Sequence, residues 1–333
     1  MAAAPAGAAI TQGTYTVINP EVSVPNGNTE GGYLSCPAGQ RVLSEGFFWH
    51  VAGAPPDPAN THSARMASST PTSDGLGMFS SGYSASTTLM RQSVLLCLPS
   101  SVIGTPYTTV VGDSPAGASS VAGGYLPCPG GQRIVSGGAF WHLPGQGPDP
   151  ALGANSWITS STPTTDTRGW YADGKNASLT PRVLTTVIHC LPDAGFNVVT
   201  TVAVKKNKKK KHRKRRTAHA SKKKKKKKKH KKTRRVAHIG QFSLKTQDTA
   251  PAGVGASVGG GLACPAGERI VTGGAFWHVA GMGPSTSLAD NRFLSSSSPT
   301  ADAKGWYADA FNGGPTADAQ LETVVLCIAP VAG

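Results

Sequence analysis

Three aromatic-histidine triplets, Phe48-Trp49-His50, Phe140-Trp141-His142 and Phe276-Trp277-His278, carry the side chains in this sequence best suited to binding or catalysis. Two of them are followed downstream by a second group, Trp170-Tyr171-Ala172-Asp173 with Asn176, and Trp306-Tyr307-Ala308-Asp309 with Asn312. Aromatic rings stack on the apolar faces of sugars, while carboxylates and amides orient hydroxyls. Trp141, His142, Trp170, Tyr171, Asp173 and Asn176 therefore form one candidate ligand platform, and Trp277, His278, Trp306, Tyr307, Asp309 and Asn312 a second. The first copy has Met78, Phe79, Ser81 and Ser84 at those places and reads as degenerate. Alternate residues of a strand face opposite sides, so Phe140 and His142 share one face and Trp141 takes the other. The competing reading places the tryptophans in the module interiors, with the histidines as hydrogen-bond partners at the rim.

Catalysis has weaker support. His142 with Asp173, or His278 with Asp309, could serve as a base and its orienting carboxylate, but no serine or cysteine is assigned as a nucleophile acting with either pair. Paired carboxylates suited to glycoside hydrolysis do not recur either. A non-enzymatic protein is expected, with no cofactor and no metal site assigned. Arg41, Arg133 and Arg269 recur in every copy and would either clamp an anion or cap a strand edge.

These groups belong to a threefold internal repeat. Cys36-Pro37-Ala38-Gly39, Cys128-Pro129-Gly130-Gly131 and Cys264-Pro265-Ala266-Gly267 each open a unit whose Trp follows 13 residues later and whose Pro-Thr pair, at Pro71-Thr72, Pro163-Thr164 or Pro299-Thr300, follows a Ser-rich segment with its Pro 35 residues after the Cys. A second cysteine closes each unit, Cys97, Cys190 or Cys327, at separations of 61, 62 and 63 residues. Two cysteines per unit at near-constant spacing predict the disulfides Cys36–Cys97, Cys128–Cys190 and Cys264–Cys327, rather than the tighter groupings of metal ligands. Each would stabilise its unit by roughly 4 kcal/mol in the chain-entropy picture and implies an oxidising compartment. The alternative is three pairs of buried thiols. β-branched and aliphatic runs such as Val183-Leu184-Thr185-Thr186-Val187-Ile188, separated by Gly, Pro, Asn and Ser clusters, read as short strands. The fold class expected is all-β: three tandem small antiparallel sandwich or barrel modules over 14–99 (degenerate), 107–193 and 237–330, after a flexible N-terminus over 1–13.

The CPxG start, Gly-rich strand, Ser-Pro turn, GW segment and closing strand with cysteine resemble an uncharacterised repeat module of exported proteins of high-GC soil bacteria. The resemblance covers all three units and implies an exported β-domain without implying any chemistry. The start Met1-Ala2-Ala3-Ala4-Pro5 has neither a charged n-region nor a long apolar stretch, so export is expected to use a start upstream of it or another route.

Charge divides the chain sharply. Of 33 Lys and Arg residues, 22 lie between Lys205 and Arg235, where there is no acidic residue; the remainder holds 11 basic against 17 acidic residues. The formal +16 thus sums a mildly acidic body and one polybasic segment. Mutual repulsion at this density predicts a disordered linker over 198–236, with module three tethered by it to modules one and two. Lys209, Lys210, Lys211, Arg213, Lys214, Arg215, Arg216, Lys222, Lys229, Arg234 and Arg235 are the polyanion-binding candidates. Cell-wall polymer, anionic surface and extracellular nucleic acid all fit that chemistry. Sequence-specific nucleic-acid recognition does not, because the segment has no aromatic residue for stacking. No apolar run approaches 18 residues, so no transmembrane segment is expected. Two functions follow as expectations: an extracellular surface or matrix protein binding carbohydrate or protein multivalently through its modules, and an anchor acting through the basic segment. A hydrolase is a distant third.

Overall fold

The computed structural model describes residues 9–12, 15–100, 107–192, 197–202, 234–239, 242–316 and 318–328. Repeat one supplies β1 (Ala9–Gln12), β2 (Tyr15–Ile18), β3 (Glu21–Val24), β4 (Asn28–Ser35), β5 (Gln40–His50), β6 (Ala64–Pro71), β7 (Gly77–Ser84) and β8 (Leu89–Pro99), with a single-turn helix α1 (Pro58–Thr61) between β5 and β6. Repeat two supplies β9 (Thr108–Ala116), β10 (Val121–Pro127), β11 (Gln132–His142), β12 (Ser156–Pro163), β13 (Gly169–Asn176) and β14 (Arg182–Pro192). After β15 (Asn197–Val202) and β16 (Arg234–Ile239) come β17 (Phe242–Asp248), β18 (Ala256–Ala263), β19 (Arg269–Val279), β20 (Arg292–Pro299), β21 (Gly305–Asn312) and β22 (Ala319–Ile328) of repeat three. The all-β class and the three disulfides, Cys36–Cys97, Cys128–Cys190 and Cys264–Cys327, agree with the sequence.

The repeats close on one another. One sheet runs β1-β2-β8-β5-β20-β21-β18, with β3 also paired to β8; a second runs β4-β7-β6-β11-β14-β9; the third runs β10-β13-β12-β19-β22-β17. Each sheet is thus half of one repeat joined to half of another, in a cyclic order that uses every repeat twice. Repeat three, expected to be tethered to modules one and two by the linker, is also joined to them by strand pairing, since β20, β21 and β18 complete the sheet begun by repeat one.

Glycine and serine content explains how the halves meet. The seams are single bridges, Ala139 to Ser69, Ser161 to Ala275 and Ser297 to Phe47. Beside each bridge a glycine faces backbone: a Cβ on Gly138 would lie 2.0 Å from the Ser69 carbonyl oxygen, on Gly274 2.1 Å from that of Ser161, and on Gly46 2.2 Å from that of Ser297. Only glycine permits this approach. The Ser-rich strands β6, β12 and β20 touch one another at the centre, and every residue of β12 and β20 is buried. Small side chains are what that space admits.

Each repeat also has two register shifts, at Val42/Ser44 and Met66/Ser68, Ile134/Ser136 and Ile158/Ser160, Ile270/Thr272 and Leu294/Ser296. A bulge reverses the in-out alternation, so a long strand can present apolar residues inward at both of its ends. One apolar cluster results, drawing Trp49, Trp141, Trp170, Trp277 and Trp306 from all three repeats.

β15 and β16 pair antiparallel, from Asn197 with Ile239 to Val202 with Arg234. The expected linker over 198–236 therefore begins and ends in a two-stranded ribbon. Residues 203–233, with the candidates from Lys209 to Lys229, lie outside the described residues; Arg234 and Arg235 begin β16. Within the expected N-terminal tail, β1 pairs with β2. Among the described residues no helix is long and apolar enough to cross a membrane.

Candidate functional site

Strands β17, β22 and β19 of repeat three run side by side, as do β9, β14 and β11 of repeat two and β3, β8 and β5 of repeat one, and there the triplet histidine meets residues from the other two strands. In repeat three Asp248 of β17 is opposite Glu322 of β22, which is opposite Phe276 of β19. In repeat two the row is Asp113, Thr185, Phe140, and in repeat one Glu21, Gln92, Phe48. Two residues beyond the phenylalanine, and on its face as strand alternation requires, lies the histidine. Ring centroids are 5.7 Å apart for Phe48 and His50, 5.4 Å for Phe140 and His142, and 5.5 Å for Phe276 and His278.

Each histidine is oriented in the same way. Nδ1 faces a main-chain carbonyl oxygen, Val51 at 3.0 Å from His50, Leu143 at 2.8 Å from His142, and both Val279 and Met282 at 3.1 Å from His278. A carbonyl only accepts, so Nδ1 carries a proton, and Nε2 is turned toward the acidic row. What Nε2 meets differs by repeat. His50 Nε2 lies 3.6 Å from Glu21 Oε2. His142 Nε2 is 2.7 Å from the Thr185 hydroxyl, which donates to Asp113 Oδ1 at 2.6 Å. His278 Nε2 faces two carboxylates, Asp248 Oδ1 at 3.1 Å and Glu322 Oε2 at 4.0 Å. Burial raises the Glu322 pKa, the Asp248 charge adds to the rise, and His278 opposes it.

His142 and His278 thus belong to polar clusters, but not with the partners expected from the sequence. Asp173 accepts at Oδ2 from the Tyr171 hydroxyl at 2.8 Å, and Asp309 at Oδ2 from Tyr307 at 2.9 Å and Thr61 at 2.9 Å. Both aspartates are fully buried, and burial lifts them to about 7 and about 6 respectively, against the pull of those hydroxyls. The base-and-orienter pairs His142 with Asp173 and His278 with Asp309 are therefore corrected: each member has other partners.

The aromatic platform is corrected as well. Trp141, Trp170, Trp277 and Trp306 are core residues. Trp141 Nε1 donates to the Trp157 carbonyl at 3.2 Å, and the indoles of Trp170 and Trp306 donate to Ser161 Oγ at 3.0 Å and Ser297 Oγ at 2.9 Å. Asn176 Nδ2 donates to Gly117 and Thr180 carbonyls, and Asn312 Nδ2 to those of Ala252 and Thr316, which braces loops from within. The strand period gave the right faces; the tryptophan face is the core. The recurring arginines hold turns: Arg41 donates to Asp74 O, Arg133 to Thr167 Oγ1 and Arg269 to Asp302 O.

Sequence reading missed the acidic partners, although a signal was present. Glu21, Asp113 and Asp248 precede the first cysteine of their repeats by 15, 15 and 16 residues, and Gln92, Thr185 and Glu322 each precede the second by five. It also missed Glu45, which stands where the other repeats have Gly137 and Gly273. Glu45 is fully buried and raised to about 8 by that burial. It lines a cavity of about 10 Å³ with Trp170, Trp306, Ser69, Ser161 and Ser297, room for about one water. Searches against protein-family models and curated proteins returned no match to this chain.

Proposed function

We propose that the protein is an exported, non-enzymatic anchor: a disulfide-closed β-body that presents residues 205–235 to an extracellular anionic polymer. The charge partition carries this reading. Twenty-two basic residues without an acidic neighbour are confined to one segment of a chain whose remainder is net acidic. Such a density attracts phosphate, sulfate or carboxylate polymers by counterion release, without requiring a shaped pocket. Pairing of β15 with β16 supports it, because the two ends of the basic segment are held beside each other. The disulfides support export.

Binding of the full chain to immobilised long-chain polyphosphate at increasing NaCl tests the proposal. Affinity should fall steeply with salt, and a variant with Lys222 to Lys229 changed to glutamine should bind at least tenfold more weakly. Equal binding by that variant would overturn the reading.

A second reading, recognition of a glycan or a protein by the body, is favoured by Tyr33 and Tyr125. They occupy matching positions three residues before the first cysteine and are 58% and 51% exposed. Exposed tyrosine rings suit sugar faces and partner hot spots. Retention of a glycan by the full chain, lost on Tyr33→Ala with Tyr125→Ala, would support it; a flat glycan array would remove it.

A further inference from the structure

We propose that Asp248, His278 and Glu322 bind a divalent first-row transition-metal ion, with zinc the best match. Their ligand atoms all lie within 4.8 Å of one another, on three adjacent strands. Donors bound at about 2.0 to 2.2 Å to one tetrahedral or octahedral ion stand about 3.0 to 3.5 Å apart. The Nε2 to Asp248 Oδ1 distance of 3.1 Å already meets this, and Nε2 to Glu322 Oε2 at 4.0 Å requires only a small closure.

Orientation supplies the second observation. The Val279 and Met282 carbonyls fix the His278 proton on Nδ1, as outer-shell acceptors do for metal-bound imidazoles. Nε2 is thereby aimed between two carboxylates, an arrangement that a proton on Nε2, or a metal cation in that proton's place, satisfies. His278 and Glu322 are held firmly, with 4% and 17% of their side chains exposed, while Asp248 at 49% leaves a way in from solvent.

The other repeats are internal controls. In repeat two the Thr185 hydroxyl occupies the gap and links His142 to Asp113, and in repeat one Gln92 stands at the Glu322 position. Only repeat three offers one nitrogen and two anionic oxygens. An imidazole in the set selects zinc-like ions over calcium or magnesium, which take oxygen ligands.

The histidines near the basic segment are a separate source of metal affinity, so the test uses the full chain with His212, His219, His230 and His238 changed to alanine. After chelator treatment, calorimetric titration with Zn²⁺ should give one ion per chain, and cobalt should give the absorption of a nitrogen-oxygen site. Asp248→Asn and His278→Gln should each weaken binding at least tenfold. If His278→Gln fails to fold, the exposed Asp248→Asn decides alone. Absence of stoichiometric binding in that background, or affinity unchanged in Asp248→Asn, would overturn the proposal.

Discussion

The Tyr15 hydroxyl donates to the carbonyl oxygen of Ile270 at 3.3 Å, across 255 residues of sequence. Tyr107 makes the same bond to Val42, and Phe242 occupies the third such position, with the Arg133 guanidinium 5.9 Å from its ring centre. Each repeat's leading aromatic thus docks at the bulge of another repeat, and Tyr15 closes the ring from first to last. Removing that hydroxyl deprives the Ile270 carbonyl of a donor where water has poor access. Tyr15→Phe should therefore lower unfolding free energy by about 1 kcal/mol, with an unchanged denaturant slope in urea titration.

Gly137 faces the Trp170 indole so closely that an added Cβ would lie 2.7 Å from the ring, and Gly273 faces Trp306 at the same distance. The rings are embedded in the common core and have no room to retreat. Gly137→Ala should cost about 1 to 3 kcal/mol. Gly130→Ala, where nothing lies within 4 Å, should change stability by less than about 0.5 kcal/mol, and thermal melts of the two variants check both values.

Glu45 sets a pH dependence of known sign. Its folded pKa, about 8, lies above the ordinary 4.5, so the folded state holds the proton more tightly than the unfolded chain does. The stability this contributes is complete below about pH 4.5 and is lost as pH rises through about 8. Glu45→Gln keeps the neutral shape and removes the titration. Variant and parent should be similar at pH 4.5, and the variant should be more stable at pH 9 by an amount on the order of a few kcal/mol, read from denaturation at both pH values. Asp173 and Asp309 titrate with the same sign in both proteins, so the difference isolates Glu45.

The repeat, its cysteine pairing and its strand content were legible because they rest on local spacing: Cys36 and Cys97, for example, recur in register with four other cysteines. Which strand pairs with which was not, because strands of like composition can close within a repeat or between repeats. The deciding information lay in single small residues, Gly46, Gly138 and Gly274, whose role is to let another repeat's backbone approach. The same ambiguity left the tryptophans open between the core and a ligand platform. Alternation assigns Trp141 to one face of β11, but which face is core depends on the neighbouring sheet. The acidic partners of the histidines were visible only as offsets from the cysteines and became meaningful once β17, β22 and β19 were known to be neighbours.

Tryptic cleavage within residues 205–235 tests most directly whether the three repeats form one body. No disulfide crosses that segment: Cys36–Cys97 and Cys128–Cys190 lie before it and Cys264–Cys327 after it. The nicked protein therefore has no covalent link between repeats one and two and repeat three. Shared sheets predict that the two fragments co-elute with intact protein on size exclusion and separate only in denaturant. Release of the third-repeat fragment under native conditions would contradict the account.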